Sequence, residues 1–166
     1  MPRWIALLPL LLWPLAALAE PLPADVVADR VLVEKAARRL TIFAGERTLK
    51  TYPIALGRNP VGPKRQLGDK RTPEGHYTID RHVTQTNFHL ALHISYPNDQ
   101  DRARARRMGV SPGGNILIHG LPKGWWFLEH RHLKYNWTDG CVAVTDAEIE
   151  ELWRAVPDGT PIEIRP

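Results

Sequence analysis

Sulfur is scarce in this chain: one cysteine, Cys141, and two methionines stand among 166 residues. A lone cysteine excludes an internal disulfide framework, so the fold has to stand on packing. No internal repeat, low-complexity tract or linker is present. Past residue 19 no apolar run approaches the roughly 20 residues of a bilayer span. Charge of one sign is not in excess either, with 22 Lys and Arg against 18 Asp and Glu. That balance permits attraction to anionic polymers without demanding it.

Seven histidines raise the question of a metal, but no carboxylate–histidine pattern of a zinc hydrolase accompanies them. His89 and His93 share a strand face roughly 13 Å apart, too far for one ion; His130 and His132 are roughly 7 Å apart if extended. No metal site and no cofactor are expected.

The N-terminus carries Arg3, an uncharged apolar run and the small-x-small triplet Ala17-Leu18-Ala19. This is the pattern of a secretory signal peptide, residues 1–19, with cleavage expected after Ala19; an uncleaved anchor is the other reading. A flexible segment, 20–29, follows, and 30–166 reads as one domain able to build a core. The expected location is exported and periplasmic, with no stable membrane insertion after cleavage.

Period-two alternation marks strands at 30–35, 38–44, 47–56, 76–83 and 88–96, and TPIEIRP supplies a last one. Residues 57–75, rich in Gly, Pro, Lys and Arg, read as a long irregular loop. Asn98 caps a helix over 98–109, and Thr145 with Glu148 forms a capping box before Ile149, Leu152, Trp153 and Val156 at helical spacing. The domain is therefore mostly β with two peripheral helices.

Residues 115–120, NILIHG, form an apolar strand ending in His119 and Gly120, and Cys141 follows His119 by 22 positions, preceded by Gly140. A histidine at a strand end and a cysteine after a glycine turn can meet across neighbouring strands, the imidazole taking the thiol proton. Gly140 permits close backbone approach, and the amides of Asp139, Gly140 and Cys141 are candidate oxyanion donors. Against this stands the plainer reading of a buried free cysteine and a hydrogen-bonded histidine.

A resemblance adds to the pair. The IHG and Gly-Cys-Val segments, with GDKRTPEGHYTI at 68–79, resemble the L,D-transpeptidase catalytic domain (YkuD) family over residues 31–164. The resemblance implies a YkuD-like β-sandwich or barrel. It also implies a thioester formed on Cys141 with a peptidoglycan stem tetrapeptide, His119 as base, release of D-alanine, and transfer of the acyl group to an amine. A backbone carbonyl often orients the histidine in this family. The chain departs from the family pattern at Thr138-Asp139, where Ser-His is usual, and at Ala143, where Arg is usual. Arg71, Lys64 and Arg131 are the candidates to take over substrate-carboxylate binding, and Gly120 is grouped with the binding residues. The resemblance leaves two other readings: a cysteine hydrolase acting on murein-linked peptides, and an inactive wall-binding module.

Trp125, Trp126, Phe127, Tyr135 and Trp137 crowd the stretch between histidine and cysteine, either as a groove wall or as packing on the core. The arginines at 102, 104, 106 and 107 alternate with Asp99 and Asp101 and read as a solvated helix face. No nucleic-acid partner is expected, and the protein is expected to be a monomer.

Overall fold

The computed structural model describes residues 21–166, so the signal-peptide reading lies outside the described residues. Eight strands form one sheet: β1 (Arg30–Glu34), β2 (Arg39–Ala44), β3 (Arg47–Pro53), β4 (Gly75–Val83), β5 (Ala91–Ile94), β6 (Ile116–His119), β7 (Val142–Ala143) and β8 (Pro161–Arg165). Two α-helices, α1 (Asp99–Met108) and α2 (Asp146–Ala155), accompany them, with a 3₁₀ segment over Trp126–Lys134. The sheet order is β3-β2-β1-β8-β4-β5-β6-β7. β8 runs parallel to β1 and β7 parallel to β6; the other pairs are antiparallel.

Alternation decides which side faces the core. Val31 and Val33 of β1, Leu40 and Ile42 of β2, and Ile162 and Ile164 of β8 are all buried, whereas the residues between them are more open on β1 and β8. The two outer strands of the order then approach each other. Ala55, just past β3, exchanges both backbone hydrogen bonds with Ala143 of β7, at 2.9 and 2.8 Å. The sheet is thus curled until its ends meet, which removes open edge at this point. Both alanines are fully buried, and the small side chain suits so close a crossing.

The helices begin where their caps place them. Asn98 and Asp101 make a reciprocal box at α1, Thr145 and Glu148 another at α2. α2 buries Ile149, Leu152 and Ala155 against the sheet; truncating Leu152 to Ala in such a core costs about 2–5 kcal/mol.

Two expectations change. The strand read over 88–96 is continuous only over Ala91–Ile94, although Phe88 pairs with Pro122 further along the same antiparallel register. The stretch 126–134 is a 3₁₀ segment broken by a kink at Glu129 (φ 34°, ψ −124°), so a third, irregular helix joins the two expected. The N-terminal stretch from residue 21 packs against α2. Leu22 is buried, its N–H donates to Glu151 Oε1 at 3.1 Å, and Arg154 donates to its carbonyl at 3.0 Å. Ala28 N–H donates to Ala155 O at 2.7 Å. The end of α2 provides these partners, which a local reading of the sequence does not reveal. No helix among the described residues is long and apolar enough to cross a membrane.

Candidate active site

β6 is buried along its whole length and delivers His119 at its last position. Gly120 ends it because a side chain there has no room: a Cβ would lie 2.5 Å from Asp146 Oδ1 and 2.9 Å from Ile149 Cγ2. The chain therefore lies flat on the N-terminus of α2, where Leu121 N–H donates to Asp146 Oδ1 at 2.7 Å. The Gly120 carbonyl accepts from His119 Nδ1 at 2.6 Å. A carbonyl only accepts, so Nδ1 carries the proton and Nε2 is left unprotonated, able to take one.

The cysteine is placed by the neighbouring strand. The parallel register sets Ile118 opposite Val142 and His119 opposite Ala143. One step back, Cys141 lies beside Leu117, on the face His119 shares. Two residues along a strand and one strand across put the two Cα atoms roughly 8 Å apart, within joint reach of a substrate atom.

The turn before Cys141 is built by Thr138. Its hydroxyl donates to Cys141 O at 2.7 Å and accepts from Gly140 N–H at 3.2 Å. Gly140 has φ 134°, and a Cβ there would meet Arg71 O at 2.7 Å, so glycine is required twice over. Because Thr138 occupies the Gly140 amide, that N–H is not free as an oxyanion donor. Among the described residues the Asp139 and Cys141 amides have no protein acceptor.

His119 and Cys141 line the same cleft, of about 680 Å³, together with Phe88, Asn115, Trp137 and Asp139. Phe88 stacks on the imidazole at 3.6 Å between centroids and Trp137 meets it edge-on at 5.6 Å. Burial between these rings lowers the His119 pKa to about 4, with the Gly120 carbonyl opposing the shift. The thiol is pushed up to about 11, chiefly by burial and also by the Asp139 charge; the Leu117 N–H and Lys64 act the other way. The pair therefore rests as neutral thiol and neutral imidazole at pH 7.

Of the residues singled out beside the pair, Asp139 lines the cleft with its carboxylate mostly in solvent, 3.6 Å from Arg58. Gly140, Gly120 and Arg71 do not line it. Gly120 orients the histidine, and Arg71 contributes a main-chain carbonyl beneath Gly140. Lys64 reaches the cleft wall although it is buried and paired with Asp69 at 2.7 Å, while Arg131 lines another depression. Arg58 and Lys70 are the cleft cations that sequence reasoning missed, since both come from the loop read as irregular. Ala143, at the position where the family usually has Arg, is fully buried at the strand crossing. Among the described residues no cluster of His, Cys, Asp or Glu could hold a metal ion. His89 pairs with Glu150 and His93 with Asp80.

A curled sheet presenting cysteine and histidine from adjacent parallel strands at one cleft defines an L,D-transpeptidase-type catalytic domain. The chain belongs to that family: residues 28–164 match the L,D-transpeptidase catalytic domain, YkuD. It is 27% identical over 141 residues to YafK of Escherichia coli, a protein named as a candidate L,D-transpeptidase, covering 82% of this chain and 50% of that one. Its structure is similar to the helical cell shape determining protein Pgp2 of Campylobacter jejuni (26% identity, TM-score 0.67, 85% of this chain and 48% of that one). Bd1075 of Bdellovibrio bacteriovorus is similar too (26% identity, TM-score 0.57, 88% and 54%). The chain spans about half the length of each of these relatives.

Proposed function

We propose that this chain is an exported, periplasmic cysteine L,D-transpeptidase acting on peptidoglycan stem tetrapeptides as a monomer without a cofactor. The observation that carries the reading is the pinned His119, its Nε2 left as base, in one cleft with Cys141.

The reaction starts from the neutral pair. Attack of Sγ on the carbonyl preceding the terminal D-alanine forms a C–S bond while the thiol proton passes to His119 Nε2. A preformed thiolate–imidazolium pair is disfavoured because the two pKa values, about 11 and about 4, are ordered against it. Proton transfer is therefore concerted with attack, as general-base catalysis. The amides of Asp139 and Cys141 supply the donors for the developing oxyanion. Collapse breaks the C–N bond, His119 returns its proton to the leaving D-alanine amine, and a thioester remains on Cys141. An acceptor amine attacks this thioester, passes a proton to His119, and the thiol reforms. Arg58 and Lys70, with Lys64 behind them, offer the positive rim that receives the carboxylates of the stem peptide.

D-Alanine release from a disaccharide tetrapeptide tests the reading. Wild type releases it, Cys141→Ala and His119→Ala do not, and undiminished release by Cys141→Ala refutes the assignment. The mass of the muropeptide products shows whether amine or water resolves the thioester.

A further inference from the structure

His132 lies on the 3₁₀ segment, 5% exposed, and takes no part in the chemistry just described. Its Nδ1 is 3.3 Å from the indole Nε1 of Trp137. Indole only donates, so Nδ1 is the acceptor and the neutral ring carries its proton on Nε2. That Nε2 is buried without a hydrogen-bond partner among the described residues. Buried polar atoms are nearly always paired, so an imidazole kept here at this cost points to the one bond it does make. Trp137 in turn meets both imidazoles edge-on, His119 at 5.6 Å and His132 at 5.9 Å, and lines the catalytic cleft. A non-polar ring at 132 would fill the space equally well but could not fix the indole.

We propose that His132 is a positioning residue: by accepting the Trp137 N–H it holds the indole against His119, keeping the imidazole dry and aligned toward Cys141. This deepens the proposed transpeptidase reading and rests on it for the catalytic consequence, though the placement of Trp137 does not. The charges around His132 are few. Asp146, at the start of α2, favours its protonation, while His130 on its own segment opposes it, and His119 lies across the indole from β6. Burial dominates and keeps the ring neutral, which is the form that accepts. Protonation would turn Nδ1 into a second donor facing the indole N–H and release Trp137.

The segment carrying His132 is itself tied down. Arg38 donates to the Leu133 carbonyl and to Ile54 O, linking the 3₁₀ segment to the β1–β2 turn. The acceptor is thus presented from a fixed frame rather than from a free loop.

Two substitutions separate position from bulk. His132→Asn retains an acceptor near the Nδ1 site, and His132→Phe retains the ring without one. Proton NMR of the full chain follows the Trp137 indole N–H, assigned with Trp137→Phe, and the titration of the His119 ring. In His132→Asn the indole signal stays downfield and His119 titrates near its wild-type midpoint. In His132→Phe the indole signal moves upfield, and the His119 midpoint rises toward the ordinary histidine value as water reaches the ring. The rate of acyl-enzyme formation with the disaccharide tetrapeptide falls about tenfold or more in His132→Phe and less than threefold in His132→Asn. A folded His132→Phe with unchanged indole and His119 signals overturns the proposal, as does a His132→Asn that behaves like His132→Phe. If no protein, wild type included, is acylated, the transpeptidase reading fails while the two NMR signals still decide the placement of Trp137.

Discussion

Gly57 and Gly140 meet backbone to backbone beneath the turn that carries Cys141. A Cβ on Gly57 would lie 3.1 Å from Gly140 Cα and only 2.2 Å from the Lys70 carbonyl oxygen. Two loops far apart in sequence, 57–71 and 138–141, are pressed together here.

Gly57→Ala and Gly140→Ala should therefore each destabilise the fold by roughly 1–3 kcal/mol through overpacking, with added backbone strain at Gly140. Gly114→Ala is the control, since its Cβ would make only ordinary contacts at 3.8 Å, and it should stay within about 0.5 kcal/mol of wild type. Urea unfolding midpoints measure all three. Equal behaviour of the control and the two tight glycines would show that the loops are free to part.

Thiol reactivity reports the resting charge of the pair. With Cys141 raised to about 11, alkylation by iodoacetamide should climb about tenfold per pH unit from pH 7 to 10 and level off only near 11. Asp139→Asn removes a charge that raises the thiol pKa, so its profile should move to lower pH. A rate already flat between pH 5 and 8 would mean that a thiolate–imidazolium pair exists before substrate arrives.

Much of this arrangement was legible beforehand, for definite reasons. Alternation exposed the long strands and capping boxes exposed α1 and α2, while His119 and Cys141 stood out as a candidate pair by their spacing together with the family resemblance. What escaped depends on the geometry of tight turns and on contacts distant in sequence. Nothing local to Gly120 announces that its carbonyl holds Nδ1 of the preceding residue. The occupation of the Gly140 amide by Thr138 requires the turn geometry. Arg58 and Lys70 sit in a loop whose irregular composition hides that it wraps the cleft. Phe88 alternates like a strand residue, yet its ring covers the His119 imidazole.

Acid should weaken the folded state in a defined window. His119 and His132 are both depressed to about 4 by burial, against about 6.5 when unfolded. The unfolded chain binds more protons between these values, so stability is full above pH 6.5 and is lost as pH falls toward 4. The raised thiol has the opposite window: its contribution is present below pH 9 and is lost as pH rises toward 11. Thermal midpoints from pH 4 to 11 should therefore form a dome. His132→Phe should shallow its acid side and Cys141→Ala its alkaline side. An acid limb unchanged in both His132→Phe and His119→Phe would contradict the burial of the two neutral rings.

The cleft cations should act on binding rather than on chemistry. Arg58 donates to the Trp137 carbonyl at 3.1 Å and faces Asp139, leaving its remaining donors toward the cleft. Arg58→Ala and Lys70→Ala should raise KM for a tetrapeptide about tenfold, the loss of one charged hydrogen bond, with kcat little changed. Amidation of the peptide carboxylates should reproduce the combined effect in wild type and add nothing in the double variant. A fall in kcat at constant KM would place these residues in the chemical step instead.

Intact-protein mass spectrometry after brief incubation with disaccharide tetrapeptide tests the sulfur nucleophile most directly. The expected spectrum shows a species heavier by one acyl group, the disaccharide tetrapeptide less its terminal D-alanine, which peptide mapping places on Cys141. It is absent from Cys141→Ala and strongly reduced in His119→Ala. Release of D-alanine with the adduct on another residue, or an equal adduct in Cys141→Ala, contradicts the account.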